Sequence, residues 1–425
     1  SVYKKKNTFS RQQPTMLRTT LRGLLSKRSF SSSSTSLSSD GRPALTTFGE
    51  EEQMLSDMVA RFARERVQPV VQKMDKQGYM DPEIIQECFD NGLMGLDVPE
   101  KYGGGGGSFF QAVLAIQELA KVDASVSVMV DVQNTLFNNG IVNWGTEAQK
   151  EKYLPQLCSD TLASFCLSEW GCGSDAFALK TTAKKDSDGG YVLNGTKAWI
   201  TNAGEANLFL VMATVDPSQG YKGITAFLVE GDNPGIQVGK REEKLGIKAS
   251  STCEVNLVDC KVPADSILGE VGKGYQIAIG TLNEGRIGIA AQMIGIAQGA
   301  YELTMPYLAQ RKAFNSRLID FQAIQHQFAQ CAMDIEAAQL MVYNAARLKD
   351  AGLPFITEAS MAKLYASQVA EKVPSTCINM LGGVGYTAEF GVEKFFRDSK
   401  IGQIYEGTSN IQYQTIAKAL SKEYQ

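Results

Sequence analysis

Histidine is almost missing from this chain of 425 residues, and His326 is its single example. A Ser-His-Asp triad elsewhere, or a metal site built from several imidazoles, is therefore excluded, and no metal is expected. Eight cysteines occur (Cys88, Cys158, Cys166, Cys172, Cys253, Cys260, Cys331, Cys377), but no two share the C-x-x-C spacing of a metal knuckle or redox pair. They read as buried thiols. No apolar run approaches the roughly 18 to 20 residues that a membrane span needs. A formal charge of −4 offers no nucleic-acid surface. No G-x-G-x-x-G follows a strand-like segment, so a Rossmann dinucleotide site has no support. The run Gly103 to Gly107 lacks the Gly-Lys-Ser/Thr ending of a phosphate loop and reads as a flexible turn. Carboxylates, backbone groups or a bound organic cofactor are left to carry any chemistry.

Charge is unevenly spread. Residues 1–39 hold eight basic side chains and no acidic one. From Met16 the sequence is rich in arginine and serine, as in an amphipathic mitochondrial transit segment. Met16 is expected to be the start, with Ser1 to Thr15 as upstream sequence, and the mitochondrial matrix as destination. Beyond residue 39, 34 basic residues face 46 acidic ones, a formal −12. A reducing compartment suits the thiols.

Three blocks follow. Met54, Leu55, Met58, Val59 and Phe62 recur at helical spacing and open an N-terminal helical domain, residues 45–160. Residues 161–270 have the texture of a β domain, with strands at Leu208–Ala213, Ile224–Val229 and Cys253–Val258. Tyr191–Leu193 and Thr196–Ile200 read as a hairpin joined by Asn194-Gly195. Helical periodicity returns over residues 271–425. There Ile287–Ile296 is apolar or small almost all round and is expected inside a bundle, beside Gln322–Leu348 and Ser360–Leu381. The fold class is mainly α with a central β domain.

The tail carries Ile404-Tyr405-Glu406-Gly407-Thr408-Ser409-Asn410-Ile411-Gln412. Gly407 lets a ligand approach the Glu406 carboxylate closely, and Thr408 to Asn410 look like a helix start whose free N–H groups favour an anion. Alone, this pattern suits an ordinary first-turn acid equally well. Other segments decide the matter: Leu167-Ser168-Glu169 with Gly171, Gly173-Ser174-Asp175, Trp199-Ile200-Thr201-Asn202, Gly382-Gly383 with Gly385-Tyr386, and Arg397-Asp398 with Lys400-Ile401. In this order, from about residue 50 to the end, they resemble the acyl-CoA dehydrogenase family. Gly220 to Thr225, Leu282 to Ile289 and Glu358 to Lys363 are similar to its short/branched-chain branch.

The resemblance implies an N-terminal helical domain, a middle β-barrel and a C-terminal four-helix bundle, assembled as a homotetramer. It implies FAD as cofactor, acyl-CoA as substrate and electron-transfer flavoprotein as acceptor, with Glu406 taking the α-proton. Phe165, Cys166, Leu167, Ser168, Gly173, Ser174, Trp199, Ile200 and Thr201 would line the flavin. Arg311, Gln322, Leu381, Gly382 and Gly383 would meet the FAD of a neighbouring subunit, and Thr408, Ser409 and Asn410 would meet FAD again. Ser174, Tyr221, Tyr275, Asn283, Glu284, Gly285 and Arg286 fall where the family holds the thioester.

Some relatives carry the base on the helix that begins near Glu284. The matching position here is Gly285, and Glu284 would point off by about 100°, so base duty falls to Glu406. Trp170 and Asn315-Ser316 depart from the family pattern near the flavin and near the inter-subunit contact. His326 reads as structural. Two other readings remain open: the same site run in reverse as a 2-methyl-branched enoyl-CoA reductase, and a non-catalytic protein that kept the fold.

Overall fold

The computed structural model describes residues 44–424, and from Phe48 onward they form one compact unit. The expected transit segment lies outside the described residues. Among the described residues seven helices come first: α1 Glu50–Phe62, α2 Val71–Gln77, α3 Pro82–Asp90, α4 Phe109–Ala120, α5 Ala124–Asp131, α6 Asn139–Trp144 and α7 Glu147–Ser159. Their starts follow local chemistry. Ser108 and Gln111 form a reciprocal capping box on α4, and Asp123 caps α5 by accepting from the Val126 N–H at 2.9 Å. Between α5 and α6 the chain widens into a π-helical stretch, Val132–Asn138, whose side chains are all buried.

The five-glycine run is not a loose turn. Gly105, Gly106 and Gly107 donate backbone hydrogen bonds to Gly95, Val98 and Leu96. A Cβ on Gly104 would overlap the Val98 carbonyl. Glycine is present because two backbones lie side by side, which composition cannot reveal.

Eight strands then build one sheet: β1 Ala163–Cys166, β2 Thr182–Lys185, β3 Tyr191–Thr201, β4 Leu208–Thr214, β5 Ile224–Glu230, β6 Ile236–Arg241, β7 Thr252–Val262 and β8 Ile267–Leu268. The order is β6-β7-β3-β2-β4-β5-β8, with β1 parallel to β4. The expected Asn194-Gly195 hairpin is absent. β3 runs straight through those residues, pairing with β2 on one side and β7 on the other, with a bulge between Leu193 and Gly195. Asn194 bonds sideways to Asp259, and a Cβ on Gly195 would press on Thr181 at 2.5 Å. Tertiary packing has claimed a dipeptide that in isolation favours a turn.

The C-terminal part holds α8 Gly274–Gln310, the small hairpin β9 Lys312–Ala313 and β10 Ser316–Arg317, then α9 Gln322–Asp350, α10 Ile356–Leu381, α11 Val392–Ser399 and α12 Ser409–Glu423. Helix α8 packs against α9 and α10 and also against α4 and α5 of the N-terminal part. That position explains why Ile287 to Ala297 carries no polar face beyond Gln292, whose amide donates to the Ala124 carbonyl at 2.7 Å. Glutamate 284 and its neighbours, placed at a helix start by the sequence, sit inside this one continuous helix. The β9–β10 turn consists of Phe314 and Asn315, both left-handed (φ 49° and 60°), so it is made without a glycine. All eight cysteines are buried free thiols, as expected.

A buried ion cluster ties the three parts together. Lys394 on α11 pairs with Asp398 and with Asp123, the α5 cap, at 2.9 Å. Asp398 also accepts from the Ile247 N–H at 2.6 Å. Burial acts to lower the Lys394 pKa, but the two carboxylates hold it above its ordinary value. Removing the ammonium would strand buried carboxylates. Lys394→Met should therefore cost about 3–5 kcal/mol, read as a lower denaturation midpoint, and an unchanged midpoint would contradict this account.

Candidate active site

Glu406 stands in the loop between α11 and α12. Two consecutive residues, Glu406 (φ 52°) and Gly407 (φ 86°), are left-handed, and they swing the glutamate side chain back under the bundle. Thr408 then caps α12, its hydroxyl accepting from the Ile411 N–H at 3.4 Å. The backbone of the turn is gripped from two sides. Gln412 donates to the Glu406 and Gly407 carbonyls at 3.0 and 2.9 Å, and Lys363 of α10 donates to the Gly407 carbonyl at 2.6 Å.

The carboxylate reaches α8 at a glycine. A Cβ on Gly285 would lie 2.9 Å from Glu406 Oε2 and 2.7 Å from Leu136 of the π-helical stretch. Position 285 is thus the space that the Glu406 head occupies. Oε2 is buried without a hydrogen-bond donor. Burial pushes the Glu406 pKa up to about 7, against the opposing pull of Lys363 and Arg286. Arg286 is itself fixed by Asn283 Oδ1 at 2.9 Å and Ser360 Oγ at 3.3 Å, while its Nε is buried and unpartnered. Asp131 at the end of α5 adds a second buried carboxyl, held well above its ordinary range first by burial and then by the Glu406 charge. Glu284 points elsewhere. Asn139 donates to it at 2.8 Å and Lys349 lies 3.6 Å away, so the structure separates it from Asn283, Gly285 and Arg286.

β1 lies against the π-helical stretch that also meets α8. Phe165 and Leu167 belong to the same hydrophobic cluster as Leu282, Ile277 and Ala278 of α8. Cys166 is fully buried inside β1. Ser168 accepts from the Ala198 N–H at 2.9 Å, and a second β3 bulge throws Trp199 outward at φ 62° between the buried Ala198 and Ile200. Trp199 is 52% exposed and meets the 57% exposed Trp170 edge to face at 4.6 Å, so Trp170 extends the same surface. Thr201 accepts from Ser164 Oγ at 2.8 Å. Gly173 and Ser174 are exposed, with open space beside Gly171 and Gly173. Underneath, a buried pair braces the segment: Lys197 sits 2.9 Å from Glu169, which also accepts from Thr181 Oγ1 at 2.6 Å. Burial tends to raise the Glu169 pKa, but Lys197 and these hydrogen bonds hold it low. Gln133 of the π-helical stretch accepts from the Ala163 N–H at 2.9 Å. One short helical segment therefore meets both β1 and α8. Tyr221 and Tyr275 meet edge to face at 4.9 Å near the start of α8.

A second set lies far away. Arg311, the residue just past the end of α8, is 26 residues beyond Gly285, about 39 Å at a helical rise of 1.5 Å per residue. Gln322 opens α9 beside the same hairpin, and Tyr307 packs on Phe390, just past the Gly382–Tyr386 turn. Leu381 is buried, whereas Gly382 and Gly383 face open space. Arg311, Gln322 and the Leu381–Gly383 turn are therefore remote from Glu406 of the same chain.

Sequence reasoning missed Lys363, Gln412, Asp131 and Leu136. A signal existed for Lys363: a lysine placed among Ala359, Ala362, Ala366 and Ala370, on the face of α10 that the small residues mark as buried. His326 is exposed on α9, away from these groups. Among the described residues, no cluster of three or more histidine, cysteine or acidic side chains could hold a metal.

Comparison with known proteins gives the same architecture. Models of the acyl-CoA dehydrogenase N-terminal, middle and C-terminal domains match residues 49–161, 164–260 and 272–421. The mitochondrial short/branched chain specific acyl-CoA dehydrogenase of Bos taurus is 57% identical over 388 residues, covering 91% of this chain and 90% of that protein. Butyryl-CoA dehydrogenase from Megasphaera elsdenii has a TM-score of 0.87 at 42% identity, covering 88% of this chain and 99% of that one. An acyl-CoA dehydrogenase from Bacillus anthracis complexed with FAD has a TM-score of 0.83 at 33% identity, covering 88% and 69%.

The raised pKa of Glu406 has a stability counterpart. Below the ordinary carboxyl pKa the group is neutral in both states and burial carries no charge penalty. As pH rises through about 7, the folded protein must ionise a buried acid that the unfolded chain ionises freely. Glu406→Gln should match the parent near pH 4.5 and exceed it above pH 8 by on the order of 3 kcal/mol. Urea unfolding across that range checks this; a gain on the acid side instead would reverse the assignment.

Proposed function

Since the chain belongs to the acyl-CoA dehydrogenase family, whose members are FAD-linked oxidoreductases acting on CH–CH bonds, we propose that Glu406 is the base with which it desaturates short or 2-methyl-branched acyl-CoA to the trans-2-enoyl-CoA. One observation carries the reading: a buried carboxylate oxygen with no hydrogen-bond donor, facing the cleared position Gly285, in a group whose pKa is about 7. A general base works best when its pKa lies near the working pH, because it is then both ionised and basic.

The residues fit a flavin. Gly171, Gly173, Gly382 and Gly383 leave open space where other residues would carry a Cβ. Trp199 is held outward on its bulge, and the start of α12 offers N–H groups to an anionic ligand. Phe165 to Ser174, Trp199 to Thr201 and Thr408 to Asn410 are assigned to hold FAD, which when bound supplies the acceptor for the β-hydride. Glu406 takes the α-proton onto its carboxylate. The Glu406 N–H is assigned to the thioester carbonyl, where negative charge grows as the proton leaves. Tyr221 and Tyr275 are assigned to the substrate mouth, and Asn283 and Arg286 to the wall along α8.

Arg311, Gln322 and the Leu381–Gly383 turn are assigned to the FAD of a neighbouring copy. Their distance from Glu406 supports this, since one site is then shared between chains of a homotetramer. Electron-transfer flavoprotein is proposed as the acceptor, and the exposed Trp170–Trp199 edge as the surface nearest the flavin. The mitochondrial relative and the basic leader support residence in the matrix.

Purified protein should be yellow, and anaerobic addition of short straight-chain and 2-methyl acyl-CoA thioesters should bleach the flavin. Glu406→Gln should keep FAD and ligand binding while slowing bleaching by ~10²–10⁴-fold. Substantial residual bleaching would move the base elsewhere, and a protein unable to take up FAD would refute the cofactor.

A further inference from the structure

The left-handed conformation of Glu406 is disfavoured for any side chain with a Cβ, by roughly 1–2 kcal/mol. It persists only because neighbours hold the turn. Gln412 supplies two of the three side-chain hydrogen bonds on the Glu406 and Gly407 carbonyls, and it is a neutral amide. Lys363 supplies the third, and it is a cation with no solvent exposure. A neutral donor of similar reach could serve a carbonyl at lower desolvation cost. The charge is explained by what lies next to that carbonyl, the buried Glu406 carboxylate. The other groups facing Glu406 are committed elsewhere. Arg286 of α8 is tied to Asn283 and Ser360, burial pushes the Asp131 carboxyl of α5 well above its ordinary range, and the Tyr405 hydroxyl donates to Gln292. Of these groups, only Lys363 contacts the turn and also carries charge toward the carboxylate.

We propose that Lys363 is a positioning residue for the base: its hydrogen bond to the Gly407 carbonyl fixes the left-handed turn that aims Glu406, and its charge favours the ionised carboxylate. This rests on the reading of Glu406 as the base. Burial lowers the Lys363 pKa to about 8, with Glu406 opposing and Arg286 adding repulsion, so the two groups titrate in overlapping ranges. Loss of the charge leaves Glu406 a weaker acid, protonated over more of the neutral range.

The test uses the flavin-loaded enzyme and three variants. Lys363→Met removes both bond and charge, Lys363→Gln keeps a donor without charge, and Lys363→Arg keeps charge with altered shape. In Lys363→Met and Lys363→Gln the acid limb of the kcat/KM profile should move up by about one pH unit. Turnover at pH 7 should fall ~5-fold and partly recover by pH 9. Lys363→Arg should keep the limb at its parent position even if its rate falls. A readout independent of turnover is the infrared titration of the Glu406 carboxyl, isolated by subtracting Glu406→Gln, which should shift by the same amount. If Lys363→Met does not yield soluble flavoprotein, Lys363→Gln and Lys363→Arg decide. An unmoved limb in Lys363→Gln, or an equal shift in Lys363→Arg, overturns the proposal. Failure of the base assignment looks different, since Glu406→Gln would then retain turnover.

Discussion

A carboxylate withdrawn from water is unstable in its charged form, and the centre of this protein is organised around one. Glu406 enters the interior through a backbone conformation that glutamate disfavours, and its Oε2 finds no donor there. Folding bears that cost because the surroundings over-determine the turn. α8 offers a glycine where any side chain would collide, α10 contributes a buried ammonium, and α12 returns a glutamine to the same two carbonyls. Cations lie near enough to moderate the pKa without forming a short ion pair that would fix the carboxylate as a poor base. The result is an acid poised near neutrality.

Helix α8 makes this arrangement possible. It is buried on most sides, and its glycines let other elements come close. Gly285 admits Glu406, Gly288 admits Asp131, and Gly295 admits the backbone of α4. A helix with so many glycines would be weak alone. Packing against both the N-terminal helices and the bundle compensates, and the Lys394 cluster locks the same parts together at another point.

Much of this was legible in the sequence. The α, β, α order followed from periodicity, because core-facing positions must repeat at the spacing of their element. Glu406 emerged once its segment was seen beside the others that resemble the family. What could not be read depends on residues distant in the chain. Asn194-Gly195 became mid-strand because β2 and β7 pair with it, and the five glycines became rigid because Gly95 to Val98 lies alongside. The partners that hold Glu284 away from its neighbours, Asn139 and Lys349, lie far off in the chain. Lys363 was visible as an anomaly among alanines, yet its partner is a carbonyl, and carbonyls leave no mark in a sequence.

The length of α8 has a genetic corollary. With Arg311, just past the end of α8, about 39 Å from Gly285, a site shared between chains as proposed would draw its base from one chain and its distal contacts from another. A defective Glu406 chain and a defective Arg311 chain, assembled together, would place an intact Glu406 against an intact Arg311 in a fraction of their sites. Two alleles that are each inactive alone would then complement within the mixed oligomer. The severity of one lesion would depend on which of the two regions its partner allele spares.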